Sequence, residues 1–182
     1  MRHVAVALAV GLILAGCGQD DGGAVRTIDP TGSETGTGSG TGTGVAGDCE
    51  PVGGATSDNE VHVTLVEYAI QIRAGEESVP AGRVTFEAAN DGAEPHELVV
   101  VRASSPDDLP RADDGSFDEA AMPAADVIGE IEPFAPEAGC LATFDLTPGD
   151  YLLLCNIVEH GAGHSEVEGH LELGMVTPLT VT

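Results

Sequence analysis

The sequence predicts an all-β protein built as an antiparallel β-sandwich. Three observations carry this reading: short apolar segments that alternate with period two, turn signals between them, and no long helical period. "EVHVTLVEYAIQI" (60–72) opens the series, long, β-branched and partly alternating. "GRVTFEAAND" (82–91) places Val84, Phe86 and Ala88 on one face. "HELVVVR" (96–102) is a continuous apolar run, as a buried strand requires. "CLATFDL" and "DYLLLC" follow, with Thr147-Pro148-Gly149 as the turn between them. "MVTPLTVT" closes the chain. Ser104 to Ala125 interrupts the pattern as an acidic, proline-containing insertion. Within it Ser116 precedes Glu119 by three residues, a capping-box spacing for a short helix.

The first 16 residues are set apart from the fold. Arg2 precedes an apolar run from Val4 to Leu14, too short for a membrane span but suited to a signal-peptide core. The run ends in Leu14-Ala15-Gly16-Cys17, which resembles the lipobox of bacterial-type lipoproteins. That resemblance implies cleavage before Cys17 and its lipidation. An ordinary secretory signal is the alternative, and both put the protein outside the cytoplasm, where disulfides form. Residues 17–55 are rich in Gly, Ser and Thr with little to bury, so a flexible linker is expected. About 30 such residues reach roughly 30 Å. Residues 56–182 form the expected folded domain. The expected location is extracytoplasmic, at the cell membrane through the lipid alone.

Acidic residues number 31 against 6 basic, for a net charge of −25. This argues against nucleic acid and against charge-driven binding to an anionic membrane. A solvated surface is the plain explanation; steering toward a basic partner is the other.

Beyond Cys17 the chain carries Cys49, Cys140 and Cys155. Two of these three should pair in an oxidising compartment. Pairing Cys49 with Cys140 is the expected arrangement, and it leaves Cys155 as a free thiol that a metal could occupy. Cys155, the histidines His160, His164 and His170, and Met175 lie close together near the C-terminus, and His96 opens an apolar strand upstream. A thiolate, imidazoles and a thioether together favour copper, with two His and one Cys in a plane and a weak Met as the electron-transfer arrangement. The residue types alone leave the identity of the second histidine open. His62, inside the first strand, reads as a satisfied strand residue.

"VPAGRVTFEAANDGAEPHELVVV", "LTPGDYLLLCNIV" and "HLELGMVTPLTV" together resemble the plastocyanin/azurin-type cupredoxins over roughly Val61 to Thr182. The resemblance implies a Greek-key β-sandwich holding one type 1 copper. By position, His96 matches the upstream histidine, Cys155 the thiolate and Met175 the axial methionine. His170, separated from Met175 by four residues, matches the second histidine, which makes "IVEHGAGHSEVEG" a loop insertion. His160 satisfies the usual spacing from Cys155 but leaves Met175 too late. Glu97 stands where many cupredoxins carry Asn. The function implied is single-electron transfer between redox partner proteins by a monomer that is not an enzyme. A copper chaperone or sensor without redox turnover is the alternative. A hydrolase built on Cys155 has no visible orienting partner. A multicopper oxidase needs more histidine motifs, and a binuclear copper centre needs two cysteines in the loop.

Overall fold

The computed structural model describes residues 27–28, 49–160 and 167–182. The expected leader, Cys17, most of the expected linker and His164 lie outside the described residues. In chain order the strands are β1 (Thr27–Ile28), β2 (Glu60–Val66), β3 (Ala69–Ile72), β4 (Ser78–Val79), β5 (Gly82–Asn90) and β6 (His96–Val101). They continue as β7 (Val127–Phe134), β8 (Gly139–Leu146), β9 (Gly149–Leu154), β10 (Val158–His160), β11 (Val167–Gly169) and β12 (Val176–Val181).

Two sheets face each other, one in the order β4-β12-β9-β6-β7 and the other β3-β2-β5-β8. Most pairings are antiparallel, as expected, but β2 runs parallel to β5 and β12 parallel to β4, so both sheets are mixed. Strand β7 has no counterpart in the sequence reading. It carries Gly129 and Pro133, which obscure its alternation, and it pairs at the sheet edge with β6 through two register shifts.

The alternation of β2 and β5 buries Val61, Val63 and Leu65 against Val84, Phe86 and Ala88 between the sheets. Each fully buried side chain of this size contributes about 1.5–3 kcal/mol. Strands β6 and β9 are buried on both faces, which is why they read as continuous apolar runs. Leu98, Val100, Tyr151, Leu153 and Cys155 face this inner core. Val99, Val101, Leu152 and Leu154 face outward and would meet water but for the insertion. Leu109 and Phe117 of the insertion, together with Leu171, cover them as a second core.

The insertion therefore packs on the sheet. Its helical content is two 3-10 turns, Pro106–Asp108 and Glu119–Ala121. The capping box is not formed. Asp118 caps the second turn by accepting from the Ala121 N–H at 3.2 Å, while Ser116 is buried and donates to Asp114 at 2.6 Å.

Cys49 and Cys140 form a disulfide, with 5.5 Å between Cα atoms and a sequence separation of 91. Closing so long a loop in the unfolded chain is worth about 4–5 kcal/mol on chain-entropy grounds. Cys155 is a free, buried thiol. His62 is satisfied between Glu76 and Glu87 at 3.1 and 3.2 Å.

Candidate metal centre

The site lies at one end of the sandwich, where β6 begins and β9 ends. His96 is the first residue of β6. The turn before it is organised by Asn90, which is fully buried. The Asn90 side-chain oxygen accepts from the Gly92 N–H at 3.0 Å, and its amide donates to the carbonyls of Glu94 and Phe134 at 2.8 and 3.0 Å. Asparagine closing a turn on its own following backbone is a recurrent device. Here it delivers His96 to the core at a fixed point.

Cys155 follows the last residue of β9 and keeps the inward phase of Tyr151 and Leu153. The chain then leaves the sheet and returns through the hairpin of β10 and β11, with Val158 opposite Gly169 and His160 opposite Val167. The segment expected as a plain loop insertion is thus a paired β-ribbon in its two arms. Three backbone hydrogen bonds close its base. The His170 N–H donates to Ile157 O at 2.9 Å, the Met175 N–H to His170 O at 3.0 Å, and the Cys155 N–H to Met175 O at 3.1 Å.

The result is convergence of donors. His170 Nδ1 lies 3.3 Å from Cys155 Sγ and 3.3 Å from His96 Nδ1. The ligand atoms of His96, Cys155 and His170 fall within 4.8 Å of one another, and all three residues are buried. Met175 is fully buried in the same core. His160 is at the end of β10.

Burial sets the protonation of this group. It pushes the Cys155 thiol up to about 12, and the charge of Glu97 pushes the same way. It lowers His170 to about 4, with repulsion from His96 adding to the effect, and it lowers His96 against the pull of Glu67. Two neutral imidazoles and a buried thiol are a soft donor set, and they fit copper. Binding requires loss of the thiol proton.

Several supporting residues had no structural role assigned from the sequence. Glu97, in the place where the resemblance expects asparagine, is buried and accepts from the Asn156 N–H at 2.9 Å. It thereby links the segment after His96 to the residue after Cys155. Asn156 in turn holds the insertion: its side-chain oxygen accepts from the Phe117 N–H at 2.6 Å and its amide donates to Phe117 O at 3.0 Å. The outer nitrogens of the histidines face carboxylates, with His96 Nε2 4.0 Å from Glu67 and His170 Nε2 4.0 Å from Glu94. Glu94, Glu159 and His170 make a second, more open group of the same size. A polar residue directly after the cysteine was the available sign for Asn156. Glu67 had none, since only the fold brings its turn to His96.

Fold and site together define a two-sheet β-sandwich with a buried His–Cys–His group at one end. Among solved structures, the chain is similar to a reduced auracyanin from Roseiflexus castenholzii, 22% identical over 70% of this chain and 99% of that one, with a TM-score of 0.48. It is similar to an azurin from Methylomonas sp. strain J at 16% identity, covering 69% of this chain and 99% of that one, TM-score 0.47. It is also similar to auracyanin A of Chloroflexus aurantiacus, a "blue" copper protein, at 23% identity over 68% and 100% of the two chains, TM-score 0.44. No protein-family model and no curated protein matches.

Proposed function

We propose that this protein carries single electrons on one type 1 copper ion held by His96, Cys155 and His170, with Met175 as the weak fourth donor. The observation that carries the reading is the meeting of two imidazole Nδ1 atoms and one thiol sulfur in a buried pocket. Copper supplies the one-electron couple. The chain supplies a donor set suited to both oxidation states and a frame that keeps it nearly unchanged as the electron passes. Burial of all these donors favours an electron carrier over a chaperone or sensor, which must take up and release its metal readily. The reading assigns no substrate and no catalysed bond change.

The chain would work outside the cytoplasm as a monomer, held to the membrane by a lipid on Cys17 and a flexible tether. Its donor and acceptor would be redox proteins. Tyr68 and Leu173 are the large apolar side chains that stand exposed among the described residues. Tyr68 follows Glu67 in its turn, and Leu173 lies between His170 and Met175, so both flank the end where electrons would cross.

The test is an optical spectrum of the purified protein after Cu(II) is added. An intense thiolate-to-copper band is expected from the wild type, and Cys155→Ser should remove it while the fold is kept. A colourless protein at full copper occupancy overturns the reading.

A further inference from the structure

Among the described residues, one buried side-chain nitrogen lacks any hydrogen-bond partner: His96 Nε2. Leaving such a group unpaired in the interior costs about 1–3 kcal/mol. The nearby acceptor is Glu67 Oε1 at 4.0 Å. Glu67 is not loosely placed. Its Oε1 accepts from the backbone N–H groups of Ala93 and Glu94, so the carboxylate is fixed to the segment that leads into His96. Those bonds hold it below the usual range for a glutamate, and it stands as an anion. A carboxylate has room for a further donor after two.

Between the two groups lies Gly92. A Cβ at this position would sit 2.7 Å from Glu67 Oε1 and 2.8 Å from His96 Nε2. Its absence leaves the line between carboxylate and imidazole open. Closing from 4.0 Å to hydrogen-bonding distance takes a shift of about 1 Å.

We propose that Glu67 is a positioning residue for His96, whose carboxylate accepts the Nε2–H and so keeps Nδ1 free of hydrogen and turned toward the metal. Histidines that bind metals usually donate their other N–H to a carboxylate, carbonyl or water, which fixes the tautomer and strengthens the ligand. His170 has Glu94 in the matching place at the same 4.0 Å, 42% exposed against 31% for Glu67. What sets Glu67 apart is the pair of backbone N–H groups, of Ala93 and Glu94, that fix its carboxylate. The proposal rests on the copper reading only for its effect on the metal; the tautomer itself belongs to the metal-free chain.

The experiment uses the full chain, labelled with 15N. Long-range nitrogen–proton correlation of the metal-free protein should show His96 as the Nε2–H tautomer. Glu67→Ala should mix the tautomers and lower Cu(II) affinity by about 10- to 100-fold in competition titrations. Glu67→Gln keeps an acceptor without the charge, so it should keep the tautomer and raise the reduction potential. Gly92→Ala keeps the carboxylate in the chain but its Cβ would crowd both Glu67 Oε1 and His96 Nε2, so it should weaken Cu(II) binding in the same direction as Glu67→Ala. Glu94→Gln should change affinity less than threefold. If metal-free wild-type His96 carries its hydrogen on Nδ1, or if Glu67→Ala and Gly92→Ala both bind Cu(II) within twofold of wild type, the proposal is wrong. A failure of the copper reading would look different: wild type without a charge-transfer band, whatever the tautomer.

Discussion

His96 and His170 bring the same atom to the same point by different routes. His96 opens β6, behind a turn closed by Asn90, with the sheet holding its backbone on one side through β7. His170 comes 15 residues after Cys155, beyond the paired arms of β10 and β11. The strand fixes its ligand by register. The loop fixes its ligand by closure, through the three backbone bonds that join Ile157, His170, Met175 and Cys155. Once the base is closed, the length of the excursion matters little, because doubling a flexible loop costs only about 0.6 kcal/mol. Packing supports the closure: Leu171, next to His170, is buried beside Phe117 and Leu154 in the outer core.

The largest effect expected from this comparison separates the histidines of the long segment. His170→Ala should abolish the charge-transfer band or change it beyond recognition. His160→Ala and His164→Ala should leave its position and intensity nearly unchanged. Loss of colour in His160→Ala with retention in His170→Ala would show that the loop is closed at the wrong residue, while leaving His96 and Cys155 in place.

Much of this was legible beforehand, and the reasons are local. Strands β2, β5 and β8 alternate, and β6 and β9 are apolar runs, so their patterns survive in one dimension. Cys155 could be placed because a Cys49–Cys140 pair leaves it as the free thiol and the resemblance matches it to the thiolate. What the sequence could not convey was contact between segments. The insertion read as an acidic, proline-containing interruption of the pattern, yet its Leu109 and Phe117 pack with Leu171 over the outward side chains of β6 and β9. Glu97 looked like a loss of a supporting hydrogen bond, yet its carboxylate makes one to the Asn156 N–H. The parallel pairing of β2 with β5 likewise depends on partners chosen in space rather than on composition.

An intermediate effect concerns acid. In the metal-free protein His170 is held down to about 4, first by burial and then by the charge of His96. An unfolded histidine takes its proton near 6.5. Between these values the unfolded chain binds the proton and the folded one does not. Stability is therefore complete above about 6.5 and is lost as pH falls through about 4. One such group is worth about 1.4 kcal/mol per pH unit, or about 3 kcal/mol across the window. His96 is lowered in the same direction, but Glu67 opposes the shift. Denaturant melts of the metal-free chain should show the decline, and His170→Ala should flatten it more than His96→Ala does. An equal response from both variants would remove the energetic distinction between the two routes.

The smallest effect is the sharpest test of closure. Residues 161–166 join the arms of the ribbon, and the bonds that hold His170 and Met175 lie below it. Replacing 161–166 by a two-residue Asn-Gly turn keeps β10 and β11 paired, since such a turn suits a two-stranded hairpin. His164 is lost in this variant and His160 is kept. The shortened protein should bind copper with the wild-type band and with affinity within about threefold, because the entropy difference between the two loops is a fraction of a kcal/mol. Loss of the band with the fold intact would mean that the tip holds His170 in place, and that closure at the base is not enough to build the loop half of the site.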